Sequence, residues 1–162
     1  MTRIVAAAAV IAMLIGLATT IVGLAQTTPA TLPTYRPGLG DLMTMTVQPR
    51  HIKLALAGRE KNWAYAAYEH HQLEEAFDRV ARYWPQWRSF PIADMTTSVT
   101  KEPMKMLSEA IKGANSDQYN LAYTRLTDGC NVCHQAANVG VNVIVMPDAS
   151  TFPDQDFRPA KP

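Results

Sequence analysis

"SDQYNLAYTRLTDGCNVCH", Ser116 to His134, is the stretch whose reading decides the fold. Ser116, with Asp117 just behind it, is a helix start that offers a capping oxygen and a carboxylate to the first turn. From there Tyr119, Ala122, Tyr123, Leu126, Cys130 and Cys133 form one stripe, the pattern of a helix that buries one face. Both thiols and His134 therefore fall at the inner, C-terminal end of that helix.

Three earlier segments carry the same period. The first covers residues 39–57 and puts Leu39, Met43, Val47, Arg50, Leu54 and Ala57 on one face. Pro49 interrupts it and is expected to bend or split it, and Gly58 follows as an end signal. The second covers residues 61–83, where Trp63, Ala66, His70, Leu73, Phe77, Val80 and Trp84 alternate steps of three and four, a seam suited to an antiparallel bundle. Residues 85–98 show no period and read as a wrapping loop anchored by Trp87, Phe90 and Ile92. A third helix is expected to open at Ser98 or Thr100, with Pro103 in its first turn and Met104, Leu107, Ile111 and Ala114 on one face. Gly113 and Asn115 end it. The expectation is an all-α, left-handed, antiparallel four-helix bundle over residues 39–137, followed by an extended C-terminal tail, 138–162. Within the tail, "VGVNVIVMP" reads as an extended strand packed on the bundle.

A chain of 162 residues, 48% hydrophobic and 18% charged, has room for one domain with a real core. Its 15 Lys and Arg against 14 Asp and Glu offer no basic footprint for nucleic acid. Before the helices, "MTRIVAAAAVIAMLIGLATTIVGLA" (residues 1–25) has a basic start, an apolar run and a small-residue close, the pattern of an export signal cleaved near Gln26. The run approaches the roughly 20 residues that span a bilayer, so an uncleaved membrane anchor is the competing reading. Either way the remainder is expected outside the cytoplasm, in the periplasm of a Gram-negative source. Residues 26–38 include "TTPATLPTYRPG" and read as a Pro-rich linker.

Exported cysteines default to a disulfide. A bridge across only two residues closes a very small loop, however, and gains little from chain entropy. A thioredoxin-like pair would sit beside a strand, and nothing ahead of Cys130 reads as one. Structural zinc takes four ligands, commonly from two such pairs, and this chain has two cysteines in all. In Cys-x-x-Cys-His, two thiols one helical turn apart add to the vinyl groups of haem, and the adjacent histidine supplies the proximal iron ligand. Covalent haem c through Cys130 and Cys133, with His134 on the iron, is the favoured reading.

Four helices, an exported chain and "CNVCH" on the last helix resemble the class II c-type cytochromes, the four-helix-bundle group that includes cytochrome c prime. The resemblance covers residues 39–137. "GDLM", "QPRHIKLALAG", "NWAYAAYE" and "CNVCHQA" are similar to a family of small bacterial monohaem c-type cytochromes. The chain departs from that pattern in Pro49, in His70 at a core position, and in its C-terminal extension. The resemblance implies a periplasmic one-electron carrier with no substrate chemistry, transient redox-partner proteins and a homodimer as one allowed assembly. A gas-binding or sensing protein with an open distal face is the alternative. So is a haem subunit of a larger redox complex, docked through the extension.

The resemblance also implies Met43 as the distal iron ligand, a thioether that favours Fe(II) and a higher potential. His51 and His70 are weaker ligand candidates, as is Met146; His51 reads rather as exposed or bonded to a haem propionate, and His70 as a buried imidazole with a partner in the protein. His71 reads as solvated. Trp63, Trp84, Tyr119 and Tyr123 read as core. Arg50, on the stripe with Met43, needs an anion, and a haem propionate or an acidic neighbour can serve.

Overall fold

A computed structural model describes residues 35–161. The export signal or anchor expected at residues 1–25, and residues 26–34 of the linker, lie outside them. Among the described residues no helix is long and apolar enough to cross a membrane. They form four helices and no strand beyond an isolated bridge between Trp87 and Phe90, an all-helical chain compatible with a helical bundle.

Helix α1 is continuous from residue 39 to 59 but has three parts: α-helical Leu39–Leu42, π-helical Met43–Val47 and α-helical Gln48–Arg59. Helices α2 (Trp63–Tyr83), α3 (Ile92–Lys112) and α4 (Ser116–Ala136) are uninterrupted. Each packs on its sequence neighbour, and α4 closes back on α1. Fully buried Leu54, Leu73, Val80, Leu107 and Leu126 form the centre. The seam foreseen on α2 is the packed face, with Ala66, His70, Leu73 and Val80 buried and Trp63, Phe77 and Trp84 against the core.

Two connections are built alike. In Glu60–Asn62 and Gly113–Asn115 the middle residues, Lys61 and Ala114, take positive φ of 54° and 48°. The residue after each bonds back to the carbonyl five positions earlier, Asn62 to Ala57 and Asn115 to Ala110, both at 2.9 Å. Asn62 and Asn115 then cap the next helix, accepting from the amides of Tyr65 and Gln118.

Three expectations change. Pro49 does not split α1. It has no amide to give Met45, and the turn before it widens so that Gln48 N–H bonds the Met43 carbonyl, five residues back. Second, α3 opens at Ile92 rather than Ser98 or Thr100, and Pro103 lies in its interior. The hydroxyls of Thr97, Ser98 and Thr100 bond the carbonyls of Ala93, Met95 and Thr96 within the helix instead of capping it. Third, "VGVNVIVMP" forms no strand.

Gly58 is also not an end signal. It lies within α1, where an added Cβ would come 2.0 Å from the Tyr119 ring. That fit lets the buried Tyr119 hydroxyl reach the Leu54 carbonyl at 2.5 Å. Gly58→Ala is expected to lower the urea midpoint by overpacking worth about 1–3 kcal/mol, whereas Gly40→Ala, with nothing within 4 Å of the new carbon, leaves it nearly unchanged.

Candidate functional site

The C-terminal end of α4 opens on a cavity of about 400 Å3, within the range of small-molecule sites. Its wall is mostly apolar: Leu39, Met43 and Val47 of α1, Phe77 of α2, Trp87, Ile92 and Val99 along the loop and α3, and Val139 and Ile144 beyond α4. Cys130, Cys133 and His134 all line it. The structure thus brings Met43 to the same cavity as the Cys-x-x-Cys-His run.

Close helix contact sets the depth of Cys130. Pro103 cannot donate to the Val99 carbonyl, and a Cβ at Gly129 would stand 2.7 Å from that oxygen. The bare Cα of Gly129 therefore lets α4 lie against α3 one residue ahead of Cys130. Both cysteines are free thiols. Burial, then the neighbouring Cys133, pushes the Cys130 thiol up to about 11. Burial also raises Cys133. Neither is a thiolate near neutral pH, the opposite of what a disulfide-exchange pair requires.

His134 is oriented from outside the helix. Its Nδ1 lies 2.7 Å from the Asn142 carbonyl, which can only accept, so Nδ1 carries the proton and Nε2 keeps a lone pair. A histidine that ligates a metal has this arrangement, with its second nitrogen donating to a carbonyl. The chain reaches it by a tight reversal: Asn138 takes a φ of 58° and the Val139 amide bonds the His134 carbonyl at 2.8 Å.

Met43 and His51 share the cavity because of the π turn. Counted as a plain α-helix, Arg50 belongs to the Met43 stripe and His51 lies off it. One wide turn inserts about one residue of phase, which brings His51 inward and carries Arg50 away. Arg50 is accordingly not a lining residue. Its guanidinium reaches both oxygens of the fully buried Glu69 at 3.2 Å, an acidic neighbour, which was one of the two anions the sequence left open. Tyr65 also donates to Glu69.

His51 is 4% exposed. Thr127 donates to the Tyr123 carbonyl, so its oxygen accepts from His51 Nε2 at 3.0 Å. The Tyr123 hydroxyl lies 2.9 Å from Nδ1 and 2.8 Å from the His51 carbonyl. Both ring nitrogens are thereby occupied within the protein, and neither offers a lone pair to a metal. His70, buried on α2, meets the Met104 carbonyl at 2.8 Å and is not a lining residue. Met146 lies beside Thr127 outside the lining, and His71 is exposed.

The residues fit a haem of the c type. Two thiols and an imidazole with a fixed tautomer converge on one apolar cavity. The Thr96 hydroxyl, which lines it, is the buried side-chain polar atom left without a hydrogen-bond partner among the described residues. Among those residues no group of three or more His, Cys, Asp and Glu is placed to hold a bare metal ion.

Sequence reasoning did not foresee Glu69, Thr127 or the carbonyl of Asn142. Thr127 had a weak signal in its four-residue step from Tyr123. Glu69 had one in its four-residue step from Tyr65. A backbone carbonyl has none. Comparison with protein families, with characterised proteins and with solved structures gives no match.

Burial lowers the pKa of His51 to about 4. The unfolded chain binds this proton near 6.5 and the folded chain does not, so the contribution is complete above about 6.5 and lost as pH falls toward 4. The shift corresponds to roughly 3 kcal/mol. Urea titrations should show stability falling across that window, and His51→Gln, less stable at pH 7, should show a shallower fall.

Proposed function

We propose that this chain is a periplasmic monohaem c-type cytochrome that carries single electrons, an antiparallel four-helix bundle with its haem at the end of α4. The observation that carries the reading is the convergence of Cys130, Cys133 and His134 on one apolar cavity, with His134 Nδ1 held by a carbonyl. When bound, haem c supplies a one-electron Fe(III)/Fe(II) couple.

The chain's own residues bind, orient and exclude water. Cys130 and Cys133 would hold the group through thioethers. His134 would offer Nε2 to the iron. Met43, in the same wall, would offer its thioether sulfur as a second protein ligand. The aliphatic and aromatic lining keeps the site dry, which limits reorganisation on electron transfer. Among the described residues no Lys or Arg lines the cavity. Exposed Val141 and Val143 lie just beyond this end of α4 and support brief docking of a redox partner. No bond of a substrate is made or broken in this role.

Intact-mass measurement on denatured protein from a host with haem-attachment machinery should give the chain plus one haem. Unmodified chain from that host would overturn the reading. Optical spectra then separate carrier from gas binder. A low-spin protein with a Met-to-iron charge-transfer band, lost in Met43→Ala together with the onset of CO binding, supports the carrier. A wild-type protein that is already high-spin and takes up CO readily would refute Met43 as ligand and favour gas binding.

A further inference from the structure

Beyond α4 the chain doubles back along its own helix, and one side chain of the Cys-x-x-Cys-His spacer holds it there. Asn131 Nδ2 donates to the Ile144 carbonyl at 2.8 Å, and the Ile144 amide donates to Asn131 Oδ1 at 2.8 Å. This double bond pattern is the one an amide makes with a neighbouring strand. Two residues earlier, the Asn142 carbonyl accepts the hydrogen bond from His134 Nδ1–H.

The two grips have matched spacing. Asn131 and His134 stand three apart on a helix, about 5–6 Å along one face. Residues 142 and 144 stand two apart in an irregular stretch, which spans about 6–7 Å when extended. One segment can therefore meet both side chains at once. The turn before it is closed by the Asn142 amide bonding the Val139 carbonyl at 3.0 Å. Farther on the tail is tied down again, by Arg59 to the Asp148 carbonyl at 2.7 Å and by Asn62 to the carbonyls of Phe157 and Arg158 at 3.1 Å.

We propose that Asn131 is a positioning residue: by clamping Ile144 it holds the Asn142 carbonyl on His134 Nδ1, and so fixes the orientation and basicity of the proximal imidazole. The proposal rests on the haem reading given above. A carbonyl on Nδ1–H makes Nε2 a stronger donor, which favours the ferric state. With the clamp removed, the remote ties still keep the tail on the bundle, but the Asn142 carbonyl is free to leave. Loss of Asn131 is then expected to raise the reduction potential and weaken the bond from iron to histidine, with little change in global stability.

The test compares wild type, Asn131→Ala, Asn131→Asp and Val132→Ala as haem-loaded full chains. Three quantities are read: hydrogen exchange of the Ile144 amide, the potential, and, with Met43→Ala added to each chain so that the ferrous iron is five-coordinate, the iron–histidine stretch by resonance Raman. In Asn131→Ala the Ile144 amide is expected to lose its protection, the stretch to fall and the potential to rise. Asn131→Asp, which keeps the acceptor and loses the donor, should fall between. Val132→Ala, at the exposed spacer position, should match wild type. An unchanged Ile144 amide in Asn131→Ala overturns the clamp. A deprotected amide with unchanged stretch and potential overturns the positioning role, and so does an equal shift in Val132→Ala. If the wild-type chain carries no haem, the functional reading fails, while exchange at Ile144 in the same chains still decides whether Asn131 holds the tail.

Discussion

Pro49 lacks the amide that an α-helix would direct at the carbonyl of Met45, and its ring crowds that carbonyl. A break would leave backbone groups unpaired in a segment whose Val47 and His51 are buried. The helix instead takes in one extra residue per turn over Met43–Val47 and continues. The hydroxyls of Thr44 and Thr46, bonded to the carbonyls of Gly40 and Leu42 at 2.9 and 2.5 Å, supply donors within the widened stretch. Everything that α1 presents to its neighbours follows from this change of phase.

Two buried polar networks depend on it and lie on different sides of α1. Toward α4, His51 accepts and donates within a closed set with Tyr123 and Thr127, all three nearly inaccessible. Toward α2, Arg50 meets Glu69, which Tyr65 also reaches, and Gln155 of the tail donates to the Tyr65 hydroxyl at 2.6 Å. Buried groups of this kind fix register, because a slip that strands a carboxylate or an imidazole without partners costs several kcal/mol. Burial, followed by the Glu69 bond, pushes Tyr65 up to about 12, so its phenol remains a donor through the physiological range.

The tail extends the same logic to the cavity. Val139 and Ile144 complete its wall, and the carbonyl of Asn142 determines which nitrogen of His134 keeps its lone pair. Phe157, buried at the far end, and Lys53 over the ring of Phe152 tie the tail to the rest of the chain. An irregular segment thus does for the site what a fifth element would, with side-chain amides in place of a ladder.

By itself the sequence determined the helical class, since apolar residues at steps of three and four can be buried together only on a helix, and α2 and α4 were legible almost to the residue. It also determined which residues could carry chemistry: the placement of Cys130, Cys133 and His134 at one helix end follows from local spacing. The start of α3 was not legible, because Ser and Thr hydroxyls cap a helix or bond back within it with equal local ease, and packing of Ile92 into the core selects the longer form. The facing of Arg50 and His51 was not legible either. A count at 3.6 residues per turn cannot register a π turn, whose cost is repaid only by contacts with α2 and α4. Tertiary structure alone decided the wall of the cavity and the partner of His134, because a backbone carbonyl is the same group at every position and only the path of the chain brings one to an imidazole.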